Sequence, residues 1–516
     1  MERRKPAFAS SIRWQSANVV SQVLLQLLFI MLLARLISKA DFGLMSIALV
    51  VVGFVEIFAQ IGIGPSLVQR QHLEPRHVRA ALHFSVGLGV AFFLGMYALA
   101  PQVGVWFNSA ELVEVLRWIA LSFILSSLAL VPRSLLVRRM DFKRLFAAAM
   151  VSMVIGNLGI GLGLAYAGYG VWAYVAALLS QNALLGICFW LMWPERTPGL
   201  LKRWQWDDLK DMLAYGGRST LFNWFNYAAS KADTVLVGEF AQSRSSGGGW
   251  TATGLYDRSA HLMSLPITVL GKLGDSVLFS GMSAIQSDAK ALQQVVGRGI
   301  SLISWLIVPG SLALAWFATE VSVVILGADY ADAGPIVRIL FIGVAFRSLI
   351  KLADAVVRAA DLLLPAIAIK AGYLGALVGS ILKALDAGAG LEGVAWCVTA
   401  CTFVQFLVFY RWIGPAINWT SGAVFRATSS GWLAAIVAAP GFAAISWLTP
   451  DWSEPALGVL QPMLALRVAL VIFWTAISCF VVAAARPHVV DGGDLELRKR
   501  WTAYLPAWIG SYIAQQ

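Results

Sequence analysis

The composition of this 516-residue chain excludes an ordinary soluble protein. Hydrophobic residues make up 59% of the sequence and charged residues only 13%, whereas globular domains carry about 25% charged residues. The net charge of +11 does not indicate a nucleic-acid partner, because the basic residues are spread over short loops and form no basic domain or arm. We therefore predict an all-α polytopic membrane protein.

Fourteen largely apolar segments of about 20 residues follow one another along the chain, each long enough to cross a bilayer. Six lie within residues 1–193, the predicted N-terminal lobe, and six within residues 211–413, the predicted C-terminal lobe. Residues 194–210 are predicted to be a cytoplasmic interfacial linker. Residues 424–485 hold two further spans, and residues 486–516 form a basic, aromatic cytoplasmic tail.

The loops predict the orientation of these spans, because loops rich in Lys and Arg stay on the cytoplasmic side. Basic residues gather in Arg70–Arg79 and Arg133–Arg144, whereas Gln102–Glu111 and Thr319–Asp332 contain none. Both termini are thus predicted to be cytoplasmic. The outer loops are short, so we expect the function to take place within the membrane.

The two halves resemble each other at an offset of about 210 residues. Asp41–Ser46, at the start of span two, aligns with Thr253–Arg258, at the start of span eight. An even number of spans per repeat makes the repeats parallel, and a substrate cavity is expected between them. Chance similarity in a sequence of biased composition is the alternative.

Cationic side chains within the predicted spans point to an anionic ligand. A charge near the bilayer centre costs about 2.5–3.5 kcal/mol on insertion scales, which favours a functional role. The alternative is local neutralisation, as in Lys351 with Asp354. The predicted substrate-binding residues are Arg218, Arg258, His261, Lys272, Arg347, Lys351 and Lys370.

Two further sets of polar residues complete the predicted site. Amide side chains could bind sugar hydroxyls, and these are Gln15, Asn18, Gln22, Gln26 and Asn226. Three acids, Glu56, Asp233 and Asp275, are candidates for a coupling site, because a buried carboxyl can exchange a proton. A protonated structural acid is the alternative for Glu56. We expect no catalytic residue, metal or cofactor, and the cysteines in apolar segments (Cys188, Cys397, Cys401 and Cys479) are predicted to be packing residues.

Five segments carry a family resemblance: Ala40–Leu44, Ile61–Arg70, Pro132–Lys143, Lys231–Gly238 and Gly254–Pro266. They resemble the polysaccharide transporter family, the Wzx-type flippases of the multidrug/oligosaccharidyl-lipid/polysaccharide (MOP) superfamily. The resemblance implies two six-helix lobes, a V-shaped cavity, alternating access and an undecaprenyl-diphosphate-linked oligosaccharide as substrate. Its implied partners are the bilayer and polysaccharide polymerase and assembly proteins. The Ser/Gly insert near residues 243–250 departs from the family pattern.

Three other functions are alternatives to the flippase. A MATE-like multidrug antiporter would need a cavity lined by acids and aromatics, which the excess of cations disfavours. A membrane glycosyltransferase, ligase or polymerase would need catalytic acids on a sizeable outer loop. A non-transporting component of a polysaccharide assembly complex would leave the charges within the membrane unexplained.

Overall fold

The computed structural model describes residues 8–59, 63–70, 73–193, 207–244, 249–273, 289–359, 362–414, 421–448 and 462–485. Within these ranges the regular structure is helical, without a strand. The predictions for Asp275, for residues 194–206 and for the tail after residue 485 concern residues outside the described ranges.

Nine α-helices and one π-helix make up the first part of the chain. The π-helix, Met153–Gly161, joins α7 to α8 within the fifth predicted span, and the fourth predicted span is broken at Ala120. The α-helices are α1 (Phe8–Leu33), α2 (Lys39–Ala59), α3 (Ile63–Gln69), α4 (Pro75–Trp106), α5 (Ala110–Ile119), α6 (Leu121–Arg138), α7 (Phe142–Ser152), α8 (Leu162–Tyr166) and α9 (Val171–Leu191).

Nine further α-helices lie in the described residues after 206, with a 3-10 turn at Ala328–Ala333 between α13 and α14. Of the Ser/Gly insert, residues 243–244 end α10 and residues 249–250 begin α11, and residues 245–248 lie outside the described residues. The helices are α10 (Asp207–Arg244), α11 (Gly249–Leu273), α12 (Ala289–Trp316), α13 (Ala318–Leu326), α14 (Gly334–Ala359), α15 (Leu363–Asp386), α16 (Gly390–Ile413), α17 (Ser421–Leu448) and α18 (Pro462–Ala485).

Among the described residues, nine helical stretches are long and apolar enough to cross a membrane. Aromatic side chains lie exposed at several helix ends, among them Trp106, Tyr166 and Trp447, as is typical of residues at the membrane–water interface. The prediction of an all-helical, polytopic membrane protein is confirmed. The count of fourteen spans and the cytoplasmic position of both termini stay predictions.

The chain divides into two compact units. Unit one contains residues up to 261 together with Ile325–Tyr330 and Leu363–Cys397, and unit two contains Leu262–Val324, Ala331–Leu362 and the chain from Val398 onward. Unit one thus includes α15, which the sequence assigned to the C-terminal lobe. The predicted lobe boundaries stay a prediction.

Unit one is built around α2, which packs closely on α10 and α11. Side chains of α2 such as Met45 and Ile47 belong to its main hydrophobic core. A Cβ atom at Gly43 would collide with the Trp250 carbonyl of α11, and one at Gly254 would collide with the Lys39 carbonyl of α2. These two glycines therefore let the backbones of α2 and α11 approach each other, as small residues do between membrane helices.

Unit two is held together by α12, which packs against α14 and α17. Ser304 of α12 donates a hydrogen bond of 3.0 Å to the Thr428 carbonyl of α17. A Cβ at Gly431 would collide with the Ser304 carbonyl, so this contact also requires glycine. The indole of Trp474 in α18 donates to the Ala438 carbonyl at 3.1 Å. The last two helices are therefore an integral part of unit two.

Candidate functional site

Three of the segments that carry the family resemblance meet in unit one. Phe42 of α2 contacts Arg258 of α11, and Asp257 of α11 pairs with Lys231 of α10. Phe42 and Arg258 are about 200 positions apart in the sequence, and helix packing brings them together. We call the set Lys231, Asp233, Tyr256, Asp257 and Arg258 the polar network.

Asp41 fixes the start of α2 and so the position of Phe42. One of its carboxylate oxygens, Oδ2, accepts hydrogen bonds from the Ser38 backbone N–H at 3.1 Å and the Ser38 hydroxyl at 2.7 Å. The other oxygen, Oδ1, accepts from the Val171 N–H of α9 at 3.0 Å. Asp41 thus satisfies backbone donors at the beginning of two helices. Its role is structural.

Arg258 is the central cation of the polar network. It follows Gly254 by one helical turn and lies on the same side of α11, and its guanidinium carbon is 4.5 Å from the centre of the Phe42 ring. The side chain is 4% exposed and donates through Nη2 to Oδ2 of Asp257. Within the described part of the chain, its Nε and Nη1 atoms have no hydrogen-bond partner. Arg258 is therefore buried with unused donors.

Asp257 is shared by two cations. Its Oδ2 accepts from Arg258, and its Oδ1 lies 3.8 Å from the ammonium of Lys231. One carboxylate cannot neutralise two positive charges, so these three residues carry a net charge of +1. Inside a protein such a charge interacts strongly with an anion, because the local dielectric constant is lower than that of water. This group can therefore attract a phosphate or another anionic group.

Asp233 lies in the same network but is bonded differently. Its Oδ2 accepts from the Tyr256 hydroxyl at 3.0 Å and its Oδ1 from the Thr234 N–H at 2.8 Å. The residue is buried. Residues two apart on a helix do not face each other, so Asp233 and Lys231 of α10 point in different directions. Asp233 links α10 to α11 and leaves the charge of the Lys231 group unchanged.

A second polar contact in unit one joins α15 to α10. The buried Lys370 ammonium donates to Oδ1 of Asn226 at 3.1 Å and lies 5.1 Å from the centre of the Phe222 ring. Phe222, Asn226 and Asp233 share one face of α10, because they are spaced by four and seven residues. A predicted substrate cation and a predicted sugar-contacting amide thus bind each other.

The other predicted residues of unit one lie on α1, α2 and α11. Asn18 and Gln22 share a hydrogen bond of 2.9 Å. Gln26 is exposed, and His261 and Glu56 are half-buried. Glu56 lies close enough to Tyr227 to interact with it electrostatically. Unit one therefore brings together only part of the predicted site.

In unit two, α14 carries a half-buried Arg347 and an exposed Lys351, while Asp354 is buried. The side chains of Gln15, Arg218 and Lys272 lie outside the described residues. No group of three metal-ligating side chains occurs in the part of the chain that the structure describes. The predicted site assignments stay predictions.

Sequence patterns missed four charged residues of two ion-pair groups, Lys231 and Asp257 in unit one and Glu320 and Arg467 in unit two. Lys231 and Asp257 lie in segments that carry the resemblance, and the direct succession of Asp257 and Arg258 was the available signal. In unit two, Arg467 of α18 lies 3.0 Å from Oε1 of Glu320 in α13. Its guanidinium carbon is 5.3 Å from the centre of the Phe317 ring. This ion pair joins the C-terminal helix to α13.

Comparisons with known proteins identify a family and several relatives of this chain. A family model described as "Polysaccharide biosynthesis protein" matches residues 32–335, more than half of the chain. The succinoglycan biosynthesis transport protein ExoT of Rhizobium meliloti is 24% identical over 64% of this chain, and the chain spans 65% of the length of that relative. The teichuronic acid biosynthesis protein TuaB of Bacillus subtilis is 22% identical over 89% of this chain and 92% of its own length.

A solved structure shares the fold. It is an inward-facing multidrug resistance MATE family transporter of the MOP superfamily, with a TM-score of 0.61 and 17% sequence identity. The similarity covers 78% of this chain and 98% of that one. At this identity the likeness concerns the fold alone.

Proposed function

Because the chain belongs to the polysaccharide biosynthesis protein family, we propose that it is a flippase for a lipid-linked oligosaccharide. It moves an undecaprenyl-diphosphate-linked repeat unit from the cytoplasmic to the outer leaflet of a bacterial inner membrane, for export of a surface polysaccharide. The polysaccharide transporter family predicted from the sequence is confirmed. The substrate and the mechanism are the proposal.

The observation that carries the proposal is the excess positive charge of Lys231, Asp257 and Arg258. A diphosphate is the anionic part of the proposed substrate, and a guanidinium donates charge-assisted hydrogen bonds to phosphate oxygens. Arg258 has two donor atoms that no described residue accepts from. The excess charge would repel the cationic drugs of a multidrug antiporter, so it favours the flippase over that alternative.

The remaining parts of the substrate need different surroundings. Amide side chains can hydrogen-bond sugar hydroxyls. Asn18 and Gln22 are two such side chains, and they already hydrogen-bond each other. The polyprenyl chain is as apolar as the lipid around the protein and can stay in the bilayer. A protein that binds the head group and leaves the chain in lipid can move the substrate by alternating access, in which two lobes open first to one side and then to the other.

Coupling to H⁺ or Na⁺ is part of the proposal, with Glu56 and Asp233 as the described candidates. Asp233 already accepts hydrogen bonds from Tyr256 of α11 and Thr234 of α10. A change in its protonation would therefore alter hydrogen bonds in both helices. Glu56 lies beside Tyr227. Unchanged transport in Glu56→Gln and Asp233→Asn variants would remove both residues from a coupling role.

The proposed function is tested by the fate of the lipid-linked sugar in cells. Cells that lack the protein should accumulate diphosphate-linked repeat units on the cytoplasmic leaflet, and the wild-type protein should clear them. An Arg258→Ala variant that is made in normal amount should not clear them. Normal transfer of the sugar lipid in cells without the protein would contradict the proposal. It would favour the multidrug antiporter or the non-transporting component of a polysaccharide assembly complex.

A further inference from the structure

The carboxylate of Asp257 is shared unequally. Arg258 donates a hydrogen bond to Oδ2, and its side chain is 4% exposed. The ammonium of Lys231 lies 3.8 Å from Oδ1, and its side chain is 36% exposed. A distance of 3.8 Å is longer than a hydrogen bond. Lys231 is therefore the more weakly held of the two cations.

Packing keeps Arg258 in place and leaves Lys231 free to turn. The guanidinium of Arg258 stacks on Phe42, and the close approach of Gly43 and Gly254 fixes the two helices that carry the stack. Lys231 carries its charge on a flexible four-carbon stem with rotatable donors. Of the two ion pairs, only the one with Lys231 can open without a movement of helices.

Asp233, the second acid of the polar network, is engaged elsewhere. Asp233, two residues further along α10, points in another direction and accepts from Tyr256 and Thr234. Besides Lys231 and Arg258, the charged groups near Asp257 include Glu56 of α2, because both acids lie close enough to Tyr227 to interact with it electrostatically. An anion that reaches Lys231 thus competes with the carboxylate of Asp257.

We propose that Lys231 is a ligand-binding residue that exchanges its counter-ion. It leaves Asp257 for the diphosphate of the lipid carrier, while Arg258 stays on Asp257, so the buried guanidinium keeps its carboxylate throughout. This inference rests on the proposed flippase function and deepens it. It states that Lys231 distinguishes a diphosphate from a monophosphate by the second phosphate group. A monophosphate, with less negative charge, competes less well with the carboxylate of Asp257.

Binding measurements on the purified full-length protein test this exchange. The probes are farnesyl diphosphate, farnesyl monophosphate and inorganic diphosphate, and the variants are Lys231→Met and Lys231→Arg. Lys231→Met should weaken binding of farnesyl diphosphate about tenfold or more, because a charge-assisted contact is lost. Lys231→Arg should retain most of the affinity, and binding of the monophosphate should change by a smaller factor.

The inorganic probe separates the two possible sources of the diphosphate. If binding of both diphosphates depends on Lys231, the exchange is supported and the diphosphate group alone is sufficient as ligand. If only binding of farnesyl diphosphate depends on Lys231, the exchange is supported and the ligand must be lipid-linked. Equal affinity of wild type and Lys231→Met for farnesyl diphosphate overturns it.

A second measurement needs no variant and so does not depend on whether a substituted protein folds. Acylation of lysine amines is followed by mass spectrometry with and without saturating farnesyl diphosphate. The ligand should slow acylation of Lys231 and leave that of Lys383, an exposed lysine near the end of α15, unchanged. Unchanged acylation of Lys231 overturns the inference.

The failure of this inference is distinguishable from failure of the proposed function. If cells with Lys231→Met clear the lipid-linked sugar and the variant binds farnesyl diphosphate as wild type does, the exchange is wrong and the flippase stands. If wild-type protein neither clears the sugar lipid nor binds the diphosphate, the function itself is wrong.

Discussion

Arg258 in unit one and Arg467 in unit two are both buried arginines stacked on a phenylalanine ring, but their charges are balanced differently. Arg467 has Glu320 as its ion-pair partner at 3.0 Å. Arg258 shares Asp257 with Lys231, so its group keeps a net positive charge. The comparison teaches that burial of a cation within a membrane protein does not by itself indicate a ligand. The charge that remains after local pairing does.

Breaking the balanced pair should have the largest effect on stability. Glu320→Ala leaves the guanidinium of Arg467 buried without its carboxylate, which should lower the free energy of unfolding by about 3–5 kcal/mol. Thermal or denaturant unfolding of the purified protein measures the loss. The double variant Glu320→Gln/Arg467→Met should recover most of it and transport normally. A stable Glu320→Ala protein would show that this pair does not hold α18 in place.

Disturbing the approach of α2 and α11 should have the next largest effect. In Gly254→Ala the new Cβ collides with backbone atoms of Lys39 and Gly43, so α2 must move, at a cost of about 1–3 kcal/mol. Because Phe42 moves with α2, transport should fall as well. Gly379→Ala in α15 is the matched control, since a Cβ there meets nothing within 4 Å. Equal behaviour of the two variants would contradict the role of the glycine contact.

Removing the cap that Asp41 provides should have a moderate effect. Asp41→Ala deprives the N-termini of α2 and α9 of their carboxylate acceptor, and lost caps cost about 0.5–2 kcal/mol. Asp41→Asn, which keeps one side-chain oxygen, should lose less. Unfolding curves measure both variants. A loss of transport with unchanged stability in Asp41→Ala would contradict the structural role and point to a ligand.

The smallest effect on stability should come from Lys231. Its partly exposed ion pair with Asp257 should contribute less than about 1 kcal/mol, so Lys231→Met should unfold much like the wild type. Transport, in contrast, should fall strongly, since this substitution removes the excess charge that distinguishes the Arg258 group from the Arg467 pair. A variant that unfolds early and transports normally would reverse this assignment.

Sequence patterns predicted the helices well, because long apolar segments in lipid leave the backbone few alternatives. They also identified Arg258, Asp233, Asn226 and Lys370 as intramembrane polar residues. They could not predict partners, since helical periodicity defines the face of one helix and not the helix that packs on it. Thus Asn226 and Lys370 were given separate roles, although they hydrogen-bond each other.

There are physical reasons why sequence patterns did not predict these charged residues. Arg467 stands among apolar residues of the last predicted span, far in sequence from the acid that it pairs with, Glu320. Asp257 adjoins Arg258, and neighbouring residues point to different sides of an ideal helix, so the pairing depends on side-chain conformation. The π-helix at Met153–Gly161 depends on packing and has no sequence signal that we recognise.

Flipping in reconstituted vesicles tests the central claim most directly. Full-length protein is placed in liposomes with a fluorescent polyprenyl-diphosphate-linked oligosaccharide, and transfer between leaflets is measured for wild type, Arg258→Ala and the Glu320→Gln/Arg467→Met double variant. We predict transfer with wild type and with the double variant, and loss of transfer with Arg258→Ala. Equal transfer by Arg258→Ala and wild type would contradict the claim that the unbalanced charge of unit one binds the substrate.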